Sequence, residues 1–165
     1  VEINRDYLFE RIQHYWLSNI SPLEPRDCSA TCLFAFRFGD GLIHLGMLGD
    51  GLVAALKPDG SVVSLTENKG YGFSNITTAL SQNVSPNEWR HISLPEEECI
   101  AVFLCTDGVA DDLDDVDGFV SGFIEAHCPI AEISANRRTR EMLEKWPTPK
   151  HSDDKTIALI FRGSK

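Results

Sequence analysis

Apolar residues recur at Leu8, Ile12, Tyr15 and Trp16, a spacing of four, three and one that lays a stripe along one face of a helix over residues 4–19. Pro22 and Pro25 end that helix. The pattern then changes to short apolar runs separated by turn chemistry. Ala30 to Phe38 alternates in part, and Gly39-Asp40-Gly41 marks a hairpin into Leu42–Leu48. Gly49-Asp50-Gly51 is a second tight turn, into Leu52–Leu56, and Lys57-Pro58-Asp59-Gly60 a third, into Val62–Leu65. Four strands on short turns predict an antiparallel meander rather than βαβ units.

Residues 67–88 are rich in Asn, Ser, Gly and Thr and read as a surface segment, with a short helix near 76–81. A pair of strands follows at 89–94 and 99–105, linked by Pro95-Glu96-Glu97-Glu98. Phe119, Phe123 and Ile124 predict a helix over 117–127. Ile130, Ile133, Met142, Leu143 and Trp146 predict a second helical region, ended by Pro147 and Pro149. The last strand is expected at 155–162. Helix, many strands, two helices and a strand, without repeats or a domain boundary, define one α+β domain over residues 1–165.

Composition narrows the function. The chain has 165 residues, 42% hydrophobic and 24% charged, enough for one globular core. No apolar run approaches the roughly 20 residues of a membrane helix, and no signal peptide is evident at the start. A formal charge of −10 argues against a nucleic-acid surface. Arg137, Arg138 and Arg140, the only basic cluster, fit a solvated helix face. Cys28, Cys32, Cys99, Cys105 and Cys128 match no zinc spacing and read as reduced thiols of a cytoplasmic protein. The five histidines show no ligand spacing; His151, two residues before Asp153, reads as an ordinary loop residue.

The candidate chemistry lies in two acidic turns fastened to apolar runs. Ile100–Leu104 leads into Cys105-Thr106-Asp107-Gly108-Val109-Ala110-Asp111, and Ser152-Asp153-Asp154-Lys155-Thr156 leads into Ile157–Phe161. Carboxylates at the mouths of core strands are costly unless a positive charge lies between them, and Mg²⁺ or Mn²⁺ favours carboxylate oxygens. Each acid also has a plain structural reading. Asp107 suits a helix N-cap, Asp111 a first helical turn and Asp50 an ordinary turn. Asp154 competes with Asp153 for the metal role. The remaining acids of 111–117 fit a solvated turn. Set against an EF-hand loop, the tract puts Leu113 and Ile124 at two essential ligand positions, which excludes calcium binding of that kind.

In this order the segments resemble the PPM (PP2C-type) family of metal-dependent protein Ser/Thr phosphatases. Cys28-Ser29-Ala30-Thr31-Cys32-Leu33 is similar to the family's small-residue strand opening, and Leu48-Gly49-Asp50-Gly51 to its G-D-S/G turn. Thr106-Asp107-Gly108 with Asp111, and Asp153-Asp154-Lys155-Thr156, resemble its S/T-D-G-x-x-D and D-N/D-x-T motifs. The resemblance implies a sandwich of two antiparallel sheets flanked by helices. It also implies hydrolysis of phosphoserine and phosphothreonine by a metal-activated water, without a phosphoenzyme. By position, Asp107 and Asp153 match carboxylates that hold one Mg²⁺ or Mn²⁺, and Asp50 and Asp111 match residues that shape an additional site with Asp107. The implied partners are a phosphoprotein substrate and a cognate Ser/Thr kinase system.

The departures matter as much. The family's early acidic residue and D-G-x-G motif, whose Asp bridges two metals, have no counterpart here, and Arg5, Arg11 and Arg26 match no phosphate-binding position. The chain therefore resembles the C-terminal two-thirds of such a domain, incomplete at its N-terminal side and holding half of the ligands. Two classes follow: a phosphatase whose missing segment is supplied elsewhere, or a non-catalytic module that binds a kinase or phosphoprotein. A sheet edge left open in this way invites a dimer.

Overall fold

The computed structural model describes residues 4–66, 78–147 and 153–162. The first helix, α1, spans Arg5–Ile20, and the Asn4 side chain caps it by accepting from the Asp6 and Tyr7 N–H groups. Among the described residues seven strands follow: β1 Cys32–Arg37, β2 Leu42–Leu48, β3 Leu52–Leu56, β4 Val62–Thr66, β5 Arg90–Pro95, β6 Ala101–Cys105 and β7 Ile157–Phe161. Between β6 and β7 lie three helices, α2 Asp107–Ala110, α3 Val116–His127 and α4 Glu132–Glu144. The fold is α+β, as the pattern of elements predicts.

The strands form two antiparallel sheets, ordered β1-β2-β5 and β4-β3-β6-β7. Strand periodicity divides their side chains into layers. Leu45, Met47, Val53, Ala55, Leu94 and Val102 meet between the sheets. On the outer face of the second sheet, Leu52, Ala54, Phe103 and Cys105 pack with Val120, Phe123 and Ile124 of α3. On the outer face of the first, Phe9 of α1 stacks on Trp89 at 4.9 Å and packs with Phe34 and Leu48. A buried ring of this size contributes about 1.5–3 kcal/mol, which fixes each helix layer to its sheet.

Three sequence expectations need correction. The first four strands are not one meander. β1 and β2 pair, as do β3 and β4, but β2 continues to β5 and β3 to β6. The chain crosses between sheets at Gly49-Asp50-Gly51, because β2 from His44 to Leu48 and β3 along its full length are buried and belong to different layers. The strands at 89–94 and 99–105 likewise fall in separate sheets. Of the helix expected near 76–81, residues 76 and 77 lie outside the described residues. The remainder is not helical: Leu80 bridges Ala30, and the next helical turn is Pro86–Glu88. Residues 67–77 of the surface segment also lie outside the described residues, as do Pro149 and His151.

Candidate metal centre

Strand register brings the acidic turns to one end of the second sheet. Leu52, the first residue of β3, pairs with Cys105, the last of β6, which pairs with Ile157, the first of β7. Asp50, Asp107 and Asp153 each lie just beyond that row. Neighbouring strands are about 4.8 Å apart, so three turns distant in sequence become neighbours in space. Asp111 follows Asp107 by one turn of α2, its N–H donating to the Asp107 carbonyl at 2.9 Å.

Close backbone contacts fix these turns on one another. A Cβ on Gly108 would stand 2.6 Å from the Asp154 carbonyl oxygen and 3.2 Å from that of Asp153. A Cβ on Gly51 would meet the Cys105 carbonyl oxygen at 2.7 Å, and Gly51 also has φ +106°, a conformation that suits only glycine. Glycine after Asp50 and after Asp107 thus lets backbone lie directly on backbone.

Thr106 joins the β6 and β7 ends. Its N–H donates to the Thr156 carbonyl at 3.1 Å. Its Oγ1 donates to the Asp154 carbonyl at 3.2 Å and accepts from the Thr156 N–H at 3.0 Å. The sequence reading passed over this tether; a hydroxyl residue directly before the acid was its only signal. Thr106 also occupies the N-cap position, so Asp107 is not the cap but the first residue of α2. One Asp107 carboxylate oxygen accepts from the Gly108 N–H at 2.9 Å, and the group is half-buried.

The rest of the acidic tract has structural employment. Asp112 accepts from the Trp146 indole N–H at 2.8 Å, tying the turn after α2 to the end of α4. Asp115 caps α3 by accepting from the Gly118 N–H at 2.9 Å. Asp114 and Asp117 are exposed. All five cysteines are free. Burial, followed by the negative charge of Asp107, pushes the Cys105 thiol up to about 12, which makes it a poor nucleophile despite its position.

Carboxylates, backbone carbonyls and a hydroxyl are the donor chemistry of a hard cation. Their number is incomplete. Among the described residues, no group of three or more His, Cys, Asp or Glu is gathered so that it could hold a metal ion. His151, two residues before Asp153, lies outside the described residues. His44 and His91, one on each of β2 and β5, meet at 3.4 Å between Nδ1 and Nε2, and Asp40 lies 2.9 Å from His44 Nε2. With Asn4, Arg5 and Ser93 they line a cleft of about 610 Å³ on the first sheet. Among the described residues no helix is long and apolar enough to cross a membrane.

A strand-end acidic centre on a helix-flanked double sheet defines a class, and the family model for protein phosphatase 2C matches residues 2–146. The chain belongs to the protein phosphatase 2C family. Solved structures share the fold. A C. elegans sex-determining protein is 16% identical with a TM-score of 0.58, covering 96% of this chain and 45% of that one. A bacterial serine phosphatase is 14% identical with a TM-score of 0.57, covering 98% and 68%. The catalytic domain of the serine/threonine protein phosphatase PstP, in complex with two manganese ions, is 19% identical with a TM-score of 0.51, covering 79% and 57%. The chain spans about half the length of other structures it matches, 53% of a bacterial serine phosphatase variant and 42% of the photosystem II phosphatase PBCP. No curated protein matches the chain.

Proposed function

We propose that this chain carries the β6–β7 half of a metal-dependent protein serine/threonine phosphatase centre. The observation that carries the reading is the contact of the Asp107-Gly108 turn with the Asp153-Asp154 backbone, held by the Thr106 hydroxyl. Asp107 and Asp153 would hold one Mg²⁺ or Mn²⁺, and Asp50 and Asp111 would extend the site beside Asp107. A cation held there lowers the pKa of water and neutralises charge on phosphoryl oxygens.

The chain's own part is to position. Thr106 fixes the distance between the two turns, Gly108 lets them touch, and the Asp112–Trp146 bond steadies the turn that carries Asp111. Clustered carboxylates repel a phosphate dianion until a cation is present, so the unloaded centre disfavours substrate. Phosphoserine and phosphothreonine proteins are the substrates this reading implies, with a cognate kinase as the opposing activity. Family membership and the two manganese ions of PstP support it.

A second reading has its own observation. Among the described residues the donors do not reach the three that a cation site needs. A non-catalytic module that docks a kinase or phosphoprotein would keep the fold and leave the centre partial.

Titration of this chain with Mn²⁺ by calorimetry, beside Asp107→Asn and Asp153→Asn, separates the two. The phosphatase reading expects saturable binding that each variant weakens at least tenfold. Where turnover of a phosphothreonine peptide is measurable, each variant should abolish it. Unchanged turnover in either variant would remove the assigned roles and leave the docking module.

A further inference from the structure

The first sheet carries a histidine pair that the acidic centre does not use. In the β2–β5 register His44 lies opposite Ser93 and His91 opposite Gly46, so the two histidines are diagonal neighbours on one face. Phe9 of α1 packs edge-on to His91 there, with ring centres 5.8 Å apart. The pair meets nitrogen to nitrogen. His44 Nδ1 and His91 Nε2 stand 3.4 Å apart, while the ring centres are 5.6 Å apart and the planes differ by 21°. The rings therefore face each other by their edges at these two atoms.

That gap exceeds the about 2.7–3.2 Å of a good hydrogen bond. It suits a cation instead. A tetrahedral Zn²⁺ at about 2.0–2.1 Å from each of two imidazole nitrogens holds them about 3.4 Å apart. The tautomer agrees with this geometry. Asp40 Oδ2 lies 2.9 Å from His44 Nε2, and both side chains are at least nine-tenths buried. An ionised carboxylate only accepts, so the neutral His44 ring carries its proton on Nε2 and presents the Nδ1 lone pair to His91. Asp40 is itself oriented by the Leu42 N–H, which donates to it at 3.1 Å. A carboxylate behind a histidine is the recurring support of a zinc ligand, fixing the ring and raising its basicity.

We propose that His44 Nδ1 and His91 Nε2 bind one Zn²⁺, with Asp40 supporting His44 and water from the adjoining cleft completing the coordination. Imidazole favours Zn²⁺, whereas the carboxylate turns favour Mg²⁺ or Mn²⁺, so the two sites differ in the ion they take. Two protein donors are fewer than a closed structural zinc site has, which makes this ion exchangeable. Arg5, in the cleft wall, is the opposing charge, but its side chain is 66% exposed and screened by salt. The buried Asp40 carboxylate outweighs it. Bound Zn²⁺ would tie β2 to β5 through the side chains and steady the β1–β2 turn. The inference rests on these three residues and stands apart from the phosphatase reading.

Titration of the native chain with Zn²⁺, followed by calorimetry and by histidine ¹⁵N spectra, tests the site atom by atom. The expected result is saturation with His44 Nδ1 and His91 Nε2 both moved to metal-bound shifts and His44 Nε2 keeping its proton. Excess Mn²⁺ should neither move these nitrogens nor displace the ion. His91→Gln and Asp40→Asn should each weaken this binding at least tenfold. Zn²⁺ should raise the melting temperature of the native chain and not that of His91→Gln, with circular dichroism showing that each variant keeps its fold. Co²⁺ in place of Zn²⁺ should give a tetrahedral spectrum without a thiolate charge-transfer band, which excludes capture by the five free cysteines. Saturating Zn²⁺ that leaves either nitrogen unshifted overturns the proposal, and that reading needs no variant to fold. So does a folded His91→Gln that binds as tightly, or a thiolate band with Co²⁺.

Discussion

The Thr106 hydroxyl donates to the Asp154 carbonyl at 3.2 Å, joining turns that lie 48 residues apart in the chain. The same oxygen accepts from the Thr156 N–H at 3.0 Å, so one small side chain serves two partners in the turn that leads into β7. Thr106→Val keeps the shape and removes both bonds. Urea denaturation should show a loss of about 1–2 kcal/mol, at the lower end because the group is partly exposed. Thr106→Ser should recover most of it. A purely steric role would give the opposite order.

Gly108 and Gly122 make a paired test of the site's packing. At Gly108 an added methyl meets the Asp154 carbonyl at 2.6 Å, and backbone cannot move aside as a flexible side chain would. Gly108→Ala should cost about 1–3 kcal/mol and weaken Mn²⁺ binding by spreading the two acidic turns. Gly122, inside α3, has nothing within 4 Å of the added carbon. Gly122→Ala should stabilise by about 0.5–1 kcal/mol and leave Mn²⁺ binding unchanged. Thermal melts with and without the ion read both effects.

These contacts show what the amino-acid pattern discloses and what it conceals. Helix α1 is legible because its apolar spacing and its Asn4 cap are local. So are the hairpins at Gly39-Asp40-Gly41 and Lys57–Gly60, where turn chemistry decides. Gly49-Asp50-Gly51 carries the same local signal, yet there the chain changes sheets. What decides is the contact of Gly51 with the Cys105 carbonyl and the burial of β2 on both faces, neither of which is local. The meeting of the two acidic turns was inferable because each adjoins an apolar run of core-strand length. The Asp40–His44–His91 chain was not, since His44 and His91 meet only through the β2–β5 register across 47 residues.

That histidine chain gives the protein a defined response to acid. Burial first, and then the positive fields of His44 and Arg5, hold the His91 imidazole below its ordinary 6.5. Asp40, from the β1–β2 turn, faces His44, whose hydrogen bond keeps the Asp40 carboxyl below its ordinary 3.8. Phe38 lies edge-on to His44 and Phe9 of α1 edge-on to His91, and neither can take up charge. The unfolded chain therefore binds the His91 proton more readily than the folded one. The stability contributed by this site is fully present above about pH 6.5 and declines as pH falls below it. The Asp40 contribution persists through that range and is lost only as pH drops below about 4. Melting temperature against pH should fall between pH 7 and 5 in the native protein. His91→Gln should flatten that limb and leave the steeper acid limb below pH 4. An unchanged limb at pH 5–7 would assign it to another group.

The Trp146–Asp112 bond links the end of α4 to the turn that carries Asp111. Its 2.8 Å length and the half-buried setting of both residues place it among charge-assisted bonds, worth about 1.5–3 kcal/mol. Trp146 also meets Phe119 edge-on at 6.0 Å, so Trp146→Phe removes the indole donor together with part of the aromatic packing. Asp112→Asn keeps an acceptor oxygen and removes only the charge. If the bond is the main term, Trp146→Phe should cost more than Asp112→Asn, and the double variant should cost less than the sum of the two. Chemical denaturation of the four proteins reads that coupling directly. Strict additivity would mean that the Asp112 charge adds nothing to the bond.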